Sequence, residues 1–226
     1  MTRQRVWAAA LVALACTLVA HAHAAEDETS SVMGSISVGA GEHRGDVSTV
    51  NGSIRIGENA SVERAHTVNG SVTLEPHATA ADLATVNGSV HLREGAQVKG
   101  RVHTVNGSLS LAQGADVTGG LANVNGSIRV NSAHVGGDVE TVTGSIEIGP
   151  DARVDGGVIV RKDHSNHWDD SESHRKPRVV IGPGSVVKGT LNFERDVELY
   201  VSDRATIGTV TGATPIKFSG DRPPPG

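Results

Sequence analysis

Thr49-Val50-Asn51-Gly52-Ser53-Ile54 decides the fold, because the chain repeats it. Copies stand at 67–72, 85–90, 104–109, 123–128 and 141–146, with a weaker one at 31–36. The leading valines, Val32, Val50, Val68, Val86, Val105, Val124 and Val142, are 18, 18, 18, 19, 19 and 18 residues apart. A fixed period near 20 with one strand-like unit per repeat marks a solenoid, in which each unit buries its apolar side only by stacking on the next.

Outward from that stretch, apolar residues fall on a six-residue grid: Val50, Ile56, Val62 and Val68, then Leu74, Ala80 and Val86, and later Val142, Ile148, Val154 and Val160. Three six-residue sides make a triangular coil. A second inward column holds Ile54, Ala60, Val72, Ala78, Val90, Ala96, Leu109, Ala115, Ile128, Ile146 and Ala152. A third, three residues before each repeat valine, holds Val47, Ala65, Leu83, Val102, Leu121 and Val139. Alternation within each short run is the strand period, so Arg55, Thr73, His91, Ser110, Arg129 and Glu147, each between two inward residues, face solvent. The expected fold is all-β: a single-stranded triangular β-helix of about nine coils of 18–19 residues between Val32 and Val210. At about 4.8 Å per coil the rod is about 40 Å long.

The corners are legible. Asn-Gly at 51–52, 69–70, 87–88, 106–107 and 125–126 supplies backbone tolerant of positive φ, and the constant return argues for a bend within a coil rather than a hairpin. A second corner follows Ile56 and Ile148 as Ile-Gly-x-x-Ala, and a third reads Val-x-Gly-x-Val, as at 98–102. Two readings of the asparagines stand open: an amide ladder along the axis, or a residue chosen only for its turn conformation.

The ends read differently. Residues 1–24 have the form of a signal peptide: a basic start, an apolar run over 6–20 too short and Ala-rich for a membrane span, and an Ala22-His23-Ala24 cleavage site. A lipoprotein signal ending at Cys16 is the less favoured alternative. Removing 1–24 takes Arg3 and Arg5 with it, so 20 basic residues become 18 against 25 acidic ones, a formal charge of −7. It also removes the single cysteine, so an exported chain must be stable without disulfides. An acidic surface argues against nucleic acid and anionic membranes as partners. The remaining aromatics are Trp168, Phe193, Tyr200 and Phe218, which leaves the core to Val, Ile, Leu and Ala. Residues 25–31 read as a frayed start, 32–214 as the solenoid, and 215–226 as an extended Pro-rich tail.

The grid breaks once. Residues 161–178 (RKDHSNHWDDSESHRKPR) supply nothing inward, and the grid resumes at Ile181, Val187, Phe193, Leu199 and Ala205. The segment is therefore a loop inserted into a continuing rod.

The segments Ile148-Gly-Pro-Asp-Ala-Arg-Val-Asp-Gly-Gly-Val158 and Ile181-Gly-Pro-Gly-Ser-Val-Val-Lys-Gly-Thr-Leu191 resemble the bactofilins, polymer-forming bacterial cytoskeletal proteins. The Val-Asn-Gly-Ser-Ile repeats resemble a family of secreted bacterial β-solenoids described as adhesin-like. Together the resemblances cover about residues 32–212 and imply a right-handed solenoid without catalytic residues. The export signal departs from the bactofilin pattern and favours the adhesin-like family.

Candidate chemistry is sparse. The hexad grid also resembles left-handed acyltransferases, whose active sites use a histidine; His43, His66, His77, His91, His103 and His134 are available but occupy different columns. Thr49, Thr67, Thr85, Thr104 and Thr141 form a column like those of ice-binding solenoids, yet only Thr141-Val142-Thr143 gives the required pair. Seven serines, Ser35 to Ser145, repeat at turns, whereas a nucleophile would be unique and paired with a base. His164, His167, Asp169, Asp170 and His174, around Trp168, have metal-ligand character within one polar loop. The expected protein is thus a non-enzymatic, structural or adhesin-like solenoid of the bacterial envelope, periplasmic or at the cell surface, with no assigned catalytic, cofactor or metal residue. Unpaired strand edges at the rod ends make homo-oligomers expected. The alternative is a metal- or glycan-binding module acting through the loop at 161–178.

Overall fold

The computed structural model describes residues 28–162 and 176–224. Residues 1–24, with their expected leader, and most of the 161–178 loop lie outside the described residues. What is described is a parallel β-solenoid of ten coils, built of strands and without a helix among the described residues. The sequence count of about nine is the number of intervals; they join ten rungs.

Three faces close each coil. The first carries strands Thr29–Met33, Val47–Asn51, the later halves of Ser61–Asn69 and Thr79–Asn87, then Val102–Asn106, Leu121–Asn125, Val139–Thr141, Val158–Val160, Leu191–Phe193 and Val210–Thr211. The second is an unbroken ten-stranded sheet from Ile36–Val38 to Ile216–Phe218. The third runs from His43–Arg44 to Thr206–Ile207. Among the described residues every strand pairing is parallel, and repeats of 18 or 19 residues stay in register: Val47 lies on Ala65, Ala65 on Leu83, and Leu83 on Val102.

The core is a column of aliphatic layers in which Phe193 is the only aromatic member among the described residues. Most of the inward columns hold: Ile54, Val72, Val90, Leu109, Ile128 and Ile146 are at most 1% exposed, and Val47, Ala65, Leu83, Val102, Leu121 and Val139 are equally closed. The repeat valines do not hold. Val50, Val68, Val86, Val105, Val124 and Val142 are half-buried on the outer side, and the residues beside them, Thr49, Thr67, Thr85, Thr104, Asn123 and Thr141, are buried. The reason is parity. Val47 and Val50 are three apart on one strand, Val47–Asn51, so they point to opposite sides. Both would be inward only if a corner separated them, and the corner comes after Asn51.

Both ends of the described rod are more structured than their composition implies. Thr29, Ser30 and Ser31 pair with Val47, Ser48 and Thr49, so the frayed start over 25–31 is corrected for its last three residues. The tail from 215 is corrected too: Tyr200, Val201 and Ser202 pair with Ile216, Lys217 and Phe218, and Phe218 is buried. Beyond that strand the chain folds back along the second face, where Arg204 meets Asp221 at 2.6 Å and Arg178 donates to the Pro224 carbonyl at 2.6 Å. The inserted loop is also narrower than 161–178, because Pro177 is buried and Arg178 opens the strand Arg178–Ile181. It enlarges a first-to-second-face corner: the preceding coil goes from Thr141 to Ile146, and this one from Val160, stacked on Thr141, to Val179, stacked on Ile146.

Candidate functional site

The repeated polar residues meet at the corner between the first and second faces. Four inward threonine hydroxyls donate to a glycine carbonyl of the coil before: Thr49 to Gly34 at 3.1 Å, Thr67 to Gly52 at 2.8 Å, Thr85 to Gly70 at 2.9 Å and Thr104 to Gly88 at 3.0 Å, whereas the Thr141 hydroxyl accepts from the Gly144 N–H at 3.0 Å. Such a bond offsets the cost of a buried hydroxyl and lets threonine replace an aliphatic residue in the core. The column therefore cannot present a flat threonine face to ice.

The asparagines form the amide ladder, with Nδ2 of Asn69, Asn87, Asn106 and Asn125 donating to Oδ1 of the asparagine one coil earlier at 2.9, 3.0, 3.0 and 3.0 Å. Thr143 closes it by donating to Asn125. Beside it runs a serine ladder: backbone N–H groups of Ser53, Ser71, Ser89 and Ser108 donate to the hydroxyl of the previous serine at 3.1 to 3.3 Å. The glycines complete the corner for a reason other than the expected one. Of the five Asn-Gly glycines only Gly126 has the positive φ expected, at +121°; Gly52, Gly70, Gly88 and Gly107 do not. A Cβ on each would lie 2.1, 1.9, 1.9 or 1.8 Å from the carbonyl oxygen of the glycine beneath. Positive φ recurs most regularly at the second corner, at Gly41, Asn59, His77, Gly95, Gly114, Ser132, Asp151 and Gly184, and at the first corner only at Gly34, Gly126 and Gly212 among the described residues.

One member of the threonine column is mismatched. Asn123 is 4% exposed, donates weakly to the Gly107 carbonyl at 3.4 Å, and leaves its Oδ1 buried without a partner. Replacing it with threonine restores the pattern of Thr104 and removes an orphaned acceptor, so Asn123→Thr is expected to stabilise the protein by about 1–2 kcal/mol. Thermal unfolding of the two proteins checks this.

The six histidines are dispersed. His66 and His103 lie on the outer side of the first face, His91 on the second, His43 and His134 on the third, and His77 at a corner. Burial is the main cause that lowers the pKa of His66, His91 and His103. His134 goes the other way. Its Nδ1 lies 2.5 Å from Asp116 and its Nε2 3.2 Å from Asp155, and the Asp116 hydrogen bond raises its pKa most. Asp155, bonded to Lys188 first and then to His134, with Arg153 beside it, is held at about 2. Sequence reading passed over this cluster because its members are one coil apart, and only the stacking register joins them.

The cluster predicts a stability optimum. The His134 contribution is complete below 6.5, its ordinary value, and is lost as pH rises through its raised folded value. The Asp155 contribution is complete above 3.8 and is lost as pH falls towards about 2. Both are therefore full between about pH 4 and 6.5. The His134 side chain is 38% exposed, so after solvent screening its pairing is worth under about 1 kcal/mol. His134→Gln is expected to flatten the alkaline limb of melting temperature against pH and to reduce the acid limb only in part, because Lys188 stays bonded to Asp155.

The stems of the inserted loop are fixed. Arg161 pairs with Glu140 of the coil before and lies 3.6 Å from Glu194 of the coil after; Lys176 lies 3.2 Å from Asp196. His164, His167, Trp168, Asp169, Asp170 and His174 lie outside the described residues. Among the described residues no three His, Cys, Asp or Glu side chains gather as a metal site, and no helix is long and apolar enough to cross a membrane. An open cavity of about 210 Å³ lies on the second face where the tail folds back, lined by Arg129, Glu147, Arg178, Val180 and Pro223 among others.

No family model, curated protein or solved structure matches the chain. The likeness to bactofilins and to adhesin-like solenoids stands on the residues quoted above.

Proposed function

We propose that this protein is an exported, non-catalytic, adhesin-like structural rod of the bacterial envelope. The observation that supports it is the use made of the repeated polar side chains. Threonine, asparagine and serine, the groups repeated most often, are engaged coil to coil in bonds that hold the rod together. Their repetition is explained by stacking and asks for no substrate.

Association through the rod ends belongs to this reading. At the N-terminal end Val32 is 70% and Met33 80% exposed beside a strand edge that has no partner among the described residues. The other end is less receptive: Lys217, in register with Val201 of the inward column, places a cation there. That asymmetry favours short head-to-head oligomers over filaments. The test is cell fractionation followed by light scattering of the purified protein. Recovery in the cytosolic fraction would overturn the export reading, and a strict monomer unaffected by Met33→Lys would overturn end association.

A second reading, metal or glycan binding by the loop at 161–178, draws support from its fixed base at Arg161, Lys176 and Pro177. Replacing 163–175 by a short Gly-Ser linker is expected to change the melting temperature little, because both stems keep their partners. Equilibrium dialysis against Zn²⁺ and cell-wall glycans, before and after replacement, decides this reading: binding that disappears supports it, and binding that survives, or none at all, sinks it.

A further inference from the structure

The outer side of the first face differs from the other two. In coils one to six its two outward columns are Ser30, Ser48, His66, Ala84, His103 and Ala122, and Val32, Val50, Val68, Val86, Val105 and Val124. No Asp, Glu, Lys or Arg interrupts them until Glu140 in coil seven. The second face carries Arg55, Arg129 and Glu147, and the third Asp116, Arg153 and Asp155. Burial holds His66 and His103 towards the neutral form; Arg64 acts with it at His66, and His66 and Arg101 at His103, while Asp82 opposes at both and Asp46 at His66. A valine ridge six coils long on a parallel sheet is an uncharged surface on a chain otherwise rich in surface charge.

We infer that this strip is a self-complementary interface on which a second copy of the chain packs face to face, antiparallel, about a two-fold axis between the coils of Val68 and Val86. An antiparallel two-fold places each coil opposite the one that mirrors it: one against six, two against five, three against four. Side-chain sizes then alternate across the interface. His66 lies opposite Ala84 of the second copy, which is 3% exposed between His66 and His103 of its own copy, His103 opposite Ser48, and Ser30 opposite Ala122, so no two histidines collide. The bordering column reads Asp46, Arg64, Asp82, Arg101 in coils two to five. Reversed, it sets Asp46 against Arg101 and Arg64 against Asp82, opposite charges at every step. Coils seven to ten lie outside the six-coil overlap.

Six coils at about 4.8 Å and five strand residues at about 3.3 Å give roughly 450 Å² a side, or about 900 Å² in all. That is below the roughly 1,200 Å² of stable complexes, so the pair is weak and forms at high concentration or when chains are held close together. The proposal is independent of end association, and the experiment separates them. In chains carrying Met33→Lys and Ile216→Lys, which block the ends, sedimentation is expected to show a concentration-dependent dimer. Adding Val68→Lys with Val86→Lys is expected to leave a monomer with an unchanged circular-dichroism spectrum. Mixing Ser30→Cys chains with Ala122→Cys chains is expected to give a dimer with a short bismaleimide, whereas Ala122→Cys chains alone are not cross-linked. An end-blocked chain that stays monomeric at millimolar concentration overturns the proposal, as does a dimer indifferent to the two lysines. So does a monomer that sediments with insoluble peptidoglycan and is released by those lysines, which would assign the strip to glycan. If the lysine pair unfolds the chain, the cross-linking result alone decides.

Discussion

Gly88→Ala is expected to cost about 3–5 kcal/mol, among the largest effects of adding one methyl group anywhere in the rod. The new Cβ would lie 1.9 Å from the Gly70 carbonyl oxygen and 3.1 Å from the Thr85 hydroxyl. Neither neighbour is free to yield. The Gly70 carbonyl accepts from Thr85, and the Gly88 N–H donates to Asn106 at 3.0 Å. Separating the coils enough to admit the methyl group would stretch the threonine, asparagine and serine ladders together. Gly114→Ala is the control. Its φ is +73°, but its nearest neighbour would be 3.6 Å away, so only the left-handed backbone penalty of about 1–2 kcal/mol applies. Similar falls in melting temperature for the two variants would show that conformation, not stacking distance, selects the corner glycines.

The second large effect separates two adjacent residues. Thr85→Asp is expected to cost several kcal/mol, because Thr85 is 2% exposed and a carboxylate there would face the Gly70 carbonyl, an acceptor, in an aliphatic core. Val86→Asp, one residue on, points outward from a half-buried position and is expected to cost about 1 kcal/mol or less. The hydrophobicity of the two residues forecasts the opposite order. Chemical denaturation of both variants reads the difference, and a larger loss in Val86→Asp would reverse the inward assignment of the threonine column.

His134 and Asn123 show a different limit of sequence reading. Asp116, His134 and Asp155 are ordinary surface residues in the linear chain, and an asparagine at 123 looks like one more member of the repeat. Stacking joins the first three into a charged chain, and burial leaves the last with an unsatisfied acceptor. Both consequences depend on which residue lies directly above or below, and this becomes defined only when the coils are in register.

The sequence by itself determined the coil. A period of 18 or 19 residues, aliphatic columns at Ile54, Ala60 and Val47 and their copies, and Asn-Gly at the bends are local patterns that only a stacked three-sided rod satisfies. The tertiary structure alone decided where the corner falls, and with it which side of the first face is inward. Hydrophobicity favours Val50 over Thr49 as a core residue. The chain buries Thr49 because the Gly34 carbonyl is in place to accept its hydroxyl, and it leaves Val50 outside because strand alternation allows no other choice once Val47 is inward. The glycines follow the same logic: the chain marks them as bends, but the carbonyl lying about 2 Å from each missing Cβ comes from the coil beneath, supplied by a residue 18 or 19 positions away.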